Sequence, residues 1–269
     1  DRRVDVSLYT EYAGQTTISG ALSDGFGNPD GSQYDLGRDQ AFGQFYVHIL
    51  SIYDGSLDGG VDVAKFPVDA LLEKGIQVSV TKNIKEAISA LRDSHIDVFW
   101  IISDQGEEFG GSSFSRSETK EIIKFYKSGG GLYIWADNAP FFEHANQILF
   151  ELVHIKIVGD TPGDRVLQEG DGNKAGTFRR HLITTGIVNL YEGITISYPD
   201  PLGDLIPLAT STDGHPVICY KDGSSSEGRL MLDCGFTKLY VNWDTAGTAR
   251  YVKNATVWLL GLDKHKSLR

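Results

Sequence analysis

Apolar residues between positions 68 and 153 follow two alternating spacings, one typical of strands and one typical of helices. Strand-like runs occur as IQVSV at 76–80, IDVFWII at 96–102 and LYIWA at 132–136. Helical stripes lie around and between them, at 68–74, 84–91, 122–126 and 141–153. Ser115 and Glu118 match a capping box before the third helix. Strands that alternate with helices in this way predict a parallel sheet covered on both faces.

The two ends of the chain carry weaker patterns. VDVSLYTEY at 4–12 predicts a strand, and Phe42, Phe45, Tyr46, Ile49 and Tyr53 recur at a spacing that predicts a helix over 39–53. Beyond residue 154, strands separated by Gly, Asp and Pro turns are predicted at IKIVGD, GITISY, LIPLATS, PVICYK and RLMLDCG. Apolar spacing at 252–259 predicts a final helix.

We therefore expect one α/β domain over 1–269, with helices on both faces of a mostly parallel sheet and extra β-strands in its C-terminal half. An N-terminal strand, a helix and Gly/Asp-rich loops fill 1–60. Regular β/α units occupy 61–153. A strand-rich completion of the sheet and the final helix occupy 154–269.

Composition narrows the choice of partner. Lys and Arg number 25 against 36 Asp and Glu, which gives a net charge of −11 and repels phosphate backbones, so nucleic acid is not expected. No apolar run approaches the roughly 18 residues that cross a bilayer, so we expect a soluble, cytoplasmic chain without membrane contact. Cys219 and Cys234 lack metal-ligand spacing; two buried reduced thiols are favoured over a cross-strand disulfide.

Polar pairs follow two of the predicted strands. Asp104 and Gln105 come after the strand at 96–102, and Asp137 and Asn138 come after LYIWA. Because ligands gather at the carboxyl ends of parallel strands, these four residues are predicted to bind a ligand. Asp244, just before the final helix, is a further candidate for binding a ligand.

Four stretches carry a resemblance to a known family: DVFWIISDQG, SGGGLYIWADN, HLITTGIVNLYEGITI and GRLMLDCGFTKL leading into NATVWLLG. They resemble the class I glutamine-amidotransferase-like superfamily. This flavodoxin-like group includes the trehalose-utilisation-type proteins and non-catalytic ciliary and gliding-motility domains. The resemblance implies a flavodoxin-like fold and places the strand-to-helix corner of LYIWADN where the family presents its nucleophile.

The chain departs from the family at that corner. A working amidotransferase of this superfamily needs a cysteine there, backed by a histidine and a glutamate, whereas this chain has Asp137 and Asn138. Glutamine hydrolysis is therefore not expected. The favoured function is a non-catalytic binding or protein-interaction module with an amidotransferase-like fold, whose partner is a protein or a small polar ligand.

Two enzymatic alternatives stay open at this point. One is a hydrolase in which Asp137 is the nucleophile and His181 or His215 the base. The other is a sugar-related enzyme of the trehalose-utilisation type, with its ligand over Asp104, Asp137 and His181. A purely structural role is also open, because Asp137 or Asn138 could cap the helix that begins near Pro140.

No cofactor is predicted, and the oligomeric state is left open. The loop DGFGNPDGSQYD offers Asp24, Asn28, Asp30 and Asp35 as calcium ligands, but it fails the EF-hand template because its first position would be Phe26. A plain turn-rich loop is favoured over an irregular calcium loop. Glu107 and Glu108 are expected in a solvated loop, and His144 on the buried side of its helix.

Overall fold

The computed structural model of the protein describes residues 35–53, 60–93, 95–106 and 113–262. The strands in these ranges are β1 Tyr46–Ile52, β2 Gln77–Thr81, β3 Val98–Ser103, β4 Gly131–Trp135, β5 Ile157–Pro162, β6 Val166–Gly170, β7 Thr177–Arg179, β8 Asn189–Tyr191, β9 Thr195–Pro199, β10 Ile206–Thr210, β11 Pro216–Lys221 and β12 Leu230–Asp233. The α-helices are α1 Lys65–Glu73, α2 Ile84–Asp93, α3 Arg116–Lys127, α4 Glu143–Val153 and α5 Thr248–Leu259. Two short 3₁₀ helices span Leu182–Thr184 and Phe236–Leu239.

Ten of these strands form one sheet, in the order β2-β1-β3-β4-β12-β11-β10-β7-β6-β8. The first five are mutually parallel, and the order reverses direction between β1 and β3, as in a flavodoxin-like sheet. From β12 onward the pairing is mainly antiparallel. β5 and β9 form a separate antiparallel pair, here called the ribbon. The predicted α/β class, with a mostly parallel part and extra C-terminal strands, is confirmed.

The helix predicted over 39–53 is wrong, because the second half of that segment is strand β1 and the first half is a turn. β1 lies between β2 and β3, with Val47, Ile49 and Leu50 all buried. A strand that is buried on both faces lacks the alternation of polar and apolar residues that identifies a half-exposed strand. The apolar residues of β1 could therefore be read as a helical stripe. The predicted strand at 4–12 lies outside the described residues.

Between 61 and 153, helices and strands alternate in the order α1, β2, α2, β3, α3, β4 and α4. The capping box forms as predicted, since the Ser115 hydroxyl accepts the Glu118 N–H at 3.3 Å and the Glu118 carboxylate accepts the Ser115 N–H at 2.7 Å. Strands β6, β7 and β8 were not predicted. Cys219 and Cys234 are buried and free, as the favoured interpretation expected. Among the described residues, no helix combines the length and apolar character needed to cross a membrane.

Trp258 of α5 lies at the amino end of β12. The Trp258 carbonyl accepts Arg229 Nη1–H at 2.8 Å just before β12, and the Arg229 guanidinium lies 4.4 Å from the Trp258 ring. At the other end of the sheet, β3, β4 and β12 finish side by side at Ser103, Trp135 and Asp233. The carboxyl edge of the sheet is therefore the one left for polar residues.

A buried ion pair lies at that carboxyl edge. Asp233 and Lys238 have no exposed side-chain surface, and the Lys238 Nζ to Asp233 Oδ1 distance is 2.5 Å. The backbone N–H of Gly235 also donates to Oδ1, at 2.9 Å, and the Tyr251 hydroxyl donates to Oδ2 at 2.9 Å. Three donors thus satisfy one buried carboxylate, which fastens the 3₁₀ helix at 236–239 and α5 to β12.

We expect Asp233→Ala to lower the free energy of unfolding by about 3–5 kcal/mol, because it leaves the Lys238 ammonium buried without a counter-charge. The measurement is urea unfolding followed by circular dichroism. The double variant Asp233→Ala/Lys238→Met removes both charges and should recover much of the loss. If the single variant lost less than about 1 kcal/mol, the value typical of exposed pairs, the pair would not be acting as a buried one.

Candidate functional site

The corner after β4 is the position at which the resemblance placed a nucleophile. Asp137 follows Trp135 and Ala136 there and is 8% exposed. Helix α4 begins only at Glu143, with Phe142 at its N-cap position and no side-chain capping bond. The prediction that Asp137 or Asn138 caps this helix is wrong, because residues 138–142 separate Asp137 from the first turn.

The polar groups of the corner instead bind neighbouring backbone and the ribbon. The Asp137 carboxylate accepts the Asn138 N–H at 2.8 Å, and the Asp137 carbonyl accepts the Ser197 hydroxyl at 2.7 Å. The Asn138 side chain donates to Asp160 at 3.0 Å and accepts from the Thr195 hydroxyl at 2.8 Å. Because Asp160 lies on β5 and Thr195 and Ser197 on β9, the two corner residues tie both ribbon strands to the end of β4.

The ribbon also reaches the end of β12. The Ser197 N–H donates to the Cys234 carbonyl at 3.1 Å, and the Ile194 N–H donates to the Thr237 hydroxyl at 2.8 Å. Where these segments cross, glycine is required: a Cβ at Gly235 would overlap the Glu192 carbonyl oxygen, and one at Gly193, with φ +116°, would lie 2.9 Å from Gly235 Cα. The ribbon therefore covers the carboxyl ends of β4 and β12 in close contact.

The structure brings the two predicted strand-end loops together. The Glu143 N–H donates to the Gln105 carbonyl at 3.2 Å, and a Cβ on Gly106 would lie 2.7 Å from the Pro140 carbonyl oxygen. Within the first loop, the Gln105 amide donates to Asp104 at 2.7 Å. Asp104 and Gln105 thus lie beside the Asp137 corner; their ligand-binding role stays a prediction.

Ser103 and His144 form a hydrogen-bonded pair that sequence reasoning missed. The Ser103 hydroxyl lies 2.7 Å from His144 Nδ1 and accepts the Gln105 N–H at 3.1 Å. The edge of the Phe114 ring packs on His144, with centroids 4.6 Å apart. His144 was expected on the buried side of its helix, but no local pattern connected it with a serine 41 positions earlier.

The Ser103–His144 pair is poorly suited to nucleophilic catalysis. Burial lowers the pKa of His144 from 6.5 to about 4, so the imidazole is a weak base at neutral pH. Its Nε2 is buried and has no hydrogen-bond partner among the described residues, so no carboxylate orients the ring as in a catalytic triad. The pair instead fixes α4 to the end of β3.

Neither of the proposed general bases lies beside Asp137. His181 Nδ1 accepts the Ile183 N–H at 3.2 Å, and its ring packs 5.4 Å from Trp258, at the amino edge of the sheet. His215 stacks on Tyr198 at 3.8 Å, with Nδ1 3.0 Å from Asp213. Successive residues of a strand face opposite sides, so this stack lies on the face of β9 away from Ser197 and the corner.

Asp244 lies in a different neighbourhood, beside α1 and α5. It is exposed, and the pKa of its carboxyl is raised by partial burial and by the nearby Glu73 charge, while Lys253 opposes the shift. Its neighbour Trp243 stacks on Phe66 of α1 at 5.8 Å. The structure therefore does not bring Asp244 to the Asp137 corner.

The single described member of the calcium set is already surrounded by cations. Asp35 lies 2.9 Å from Arg250 Nε, 3.4 Å from Lys253 Nζ and 3.6 Å from Lys74 Nζ. Asp24, Asn28 and Asp30 lie outside the described residues, as do Glu107 and Glu108, so a calcium loop stays a prediction. Within the described ranges, no three His, Cys, Asp or Glu side chains are grouped so as to hold a metal ion.

An open cleft of about 420 Å³ lies immediately outside the corner. One wall is formed by the corner and the first residue of α4, from Pro140 to Glu143. The other wall is formed by later residues of α4 and by Lys156, which precedes β5. Side chains that line it include Pro140, Phe142, Glu143, Gln147, Phe150 and Lys156. The sequence patterns did not identify this cleft, since its walls come together only through packing of α4 on β5.

Comparisons with known proteins identify the fold. No protein-family model and no curated protein sequence matches the chain. Among solved structures, the mmIFT52 N-terminal domain superposes with a TM-score of 0.58 at 10% identity, over 80% of this chain and 96% of that domain. A ThuA-like protein from Bacteroides uniformis superposes with a TM-score of 0.50 at 10% identity, over 80% and 91%. At this identity the likeness shows a shared fold, and membership of the superfamily stays a prediction.

Lowering the pH should weaken the fold through His144. Because the folded protein holds this imidazole neutral, its contribution to stability is complete above pH 6.5 and is lost as the pH falls from about 6.5 to about 4. Between pH 7 and pH 5, wild type should lose about 1–2 kcal/mol more unfolding free energy than His144→Gln. Urea unfolding at both pH values measures this difference.

The matched control is His95→Gln, at an exposed histidine, which should lose as much stability between the two pH values as wild type does. If His144→Gln also followed wild type, His144 would not be held neutral in the folded state.

Proposed function

We propose that this protein is a non-catalytic binding module built on an amidotransferase-like fold. The observation that supports this most directly is the engagement of the corner. Asp137, at the position of the family's nucleophile, bonds Asn138 through its carboxylate and Ser197 through its carbonyl. A nucleophile has to present its attacking atom to a substrate. Asp137 instead helps to hold the ribbon over the carboxyl end of β4.

The two thiols of the chain give no substitute nucleophile. Cys219 and Cys234 are fully buried, and burial together with the Asp233 charge raises the pKa of both far above that of a free thiol. Because the thiolate is the reactive form, a buried thiol of raised pKa is inert. Both residues also lie in or next to inner strands of the sheet, away from any opening described above.

The geometry also disfavours the two enzymatic alternatives. The hydrolase needs His181 or His215 within hydrogen-bonding reach of Asp137, yet His181 packs at the amino edge and His215 stacks on the far face of the ribbon. The sugar-related site needs His181 beside Asp104 and Asp137, and the same separation breaks up that set. The ThuA-like neighbour supports a common fold, which hosts many functions.

The binding role rests on what the corner leaves open. The inner side of the corner is covered by the ribbon, but its outer side, from Pro140 to Glu143, forms a wall of the open cleft. A sheet whose carboxyl edge is covered can still present a binding surface beside that edge. This surface is where we place recognition of a partner.

The proposal is tested by comparing Asp137→Asn and Asp137→Ala. Asn keeps an oxygen that can accept the Asn138 N–H, so we expect Asp137→Asn to stay close to wild type in stability. Asp137→Ala should lose about 1–3 kcal/mol of unfolding free energy, because it leaves a buried donor without its acceptor. Asp244→Ala, at an exposed carboxylate away from the corner, is the control and should change stability little.

The same proteins are assayed for turnover of glutamine, p-nitrophenyl esters and p-nitrophenyl glycosides. We expect no turnover that depends on Asp137. Wild-type turnover of any of these substrates that disappears in a folded Asp137→Asn protein would reject the non-catalytic proposal.

A further inference from the structure

The cleft beside the corner is rigidly built. The Asn146 side chain accepts the Ile157 N–H at 2.5 Å and donates to the Ile157 carbonyl at 3.3 Å, which fixes the start of β5 against α4. The Gln147 side-chain oxygen accepts the Phe114 N–H at 2.8 Å. The side-chain amides of Asn146 and Gln147 are therefore largely engaged with backbone groups. Recognition of a ligand has to come from the other side chains that line the cleft.

Those remaining side chains are apolar or charged. Phe150 is 51% exposed, more than any other large apolar side chain of the described residues. Lys156 Nζ lies 5.9 Å from the centre of the Phe150 ring. Neither Lys156 nor Glu143 takes part in an ion pair within the part of the chain that the structure describes. The cleft thus offers aromatic walls together with one carboxylate and one ammonium that form no ion pair within the described residues, the ammonium lying over the Phe150 ring.

An extended peptide suits this arrangement better than a small molecule or a sugar. Small-ligand sites usually enclose most of their ligand, whereas this cleft is open along the exposed Phe150 and Lys156. A sugar also needs several matched donors and acceptors for its hydroxyls, and the amides of Asn146 and Gln147 are largely taken up by the backbone. A peptide chain can cross an open cleft, place one apolar side chain against the aromatic walls and carry charges on both sides of it.

Charge complementarity determines the flanks of that peptide. A basic residue fits beside Glu143, and an acidic residue fits beside Lys156. The cleft is too small for a stable interface by itself, so the contact is of the weak, motif-based kind.

We propose that this cleft docks a short extended segment of a partner protein, with an apolar anchor held between Phe142 and Phe150, a basic residue at Glu143 and an acidic residue at Lys156. The inference rests on the proposed non-catalytic binding function and deepens it by naming the class of partner. It places recognition on the outer wall of the corner, apart from Asp137 itself.

A library of short random peptides displayed on phage, selected on the immobilised full chain, provides the probe. Wild type should enrich peptides with an apolar residue between an acidic and a basic one. The selected peptides are then synthesised, and their affinities are measured by fluorescence anisotropy. Phe150→Ala removes a side chain that is 51% exposed and should weaken binding by about tenfold or more.

Charge reversal gives the sharper test. Lys156→Glu should select a basic residue in place of the acidic one, Glu143→Lys should select the opposite exchange, and the double variant should bind peptides with the two charges swapped. Leu72→Ala and Lys85→Glu, at an exposed leucine of α1 and an exposed lysine of α2, are matched controls and should leave affinity and selection unchanged. Thermal unfolding confirms that each variant is folded.

Several outcomes would overturn the inference. One is failure of the wild type to enrich any peptide, and another is enrichment of peptides whose affinity is unchanged in Phe150→Ala. Sugar binding or self-association that Phe150→Ala abolishes would assign the cleft to a sugar or to a second copy of the chain. None of these results involves Asp137-dependent turnover, so they separate failure of the docking site from failure of the non-catalytic proposal.

Discussion

The buried carboxylate of Asp233 is the constraint on which the carboxyl edge of the sheet depends. A charge removed from water has to be neutralised and hydrogen-bonded, and Lys238, Tyr251 and the Gly235 N–H together do this. Their convergence fixes the 3₁₀ helix at 236–239 below the end of β12. Thr237 of that helix then accepts the Ile194 N–H, which brings the ribbon over the edge.

The corner after β4 follows from this sequence of contacts. Once the ribbon is in place, Ser197 and Thr195 reach the backbone of Asp137 and the side chain of Asn138. Asp137 and Asn138, polar residues at the carboxyl edge, here join the large sheet to the ribbon. The same junction orients the outer side of the corner, so that Pro140 and Phe142 form a wall of the cleft. The contacts between the ribbon and the corner thus both cover the strand ends and leave the outer side of the corner exposed in the cleft.

The sequence was informative where local spacing determines structure. The units between 76 and 136 were predictable, because buried strands and one-sided helices leave distinct apolar periods. β1 was not, since Ile49 fitted the helical spacing of Phe42 and Phe45, while its burial comes from the strands on either side of β1. The corner was misread for a related reason. Asp137 and Asn138 are good helix caps by local rules, but Ser197 lies 60 positions away and Asp160 lies 22 positions from Asn138.

The crossing at Gly193 and Gly235 has a consequence for other chains of this architecture. A side chain at position 235 would strike the Glu192 carbonyl, so the ribbon could not descend onto the strand ends. A chain of this architecture with a larger residue at either position would have to lead its ribbon along a different path.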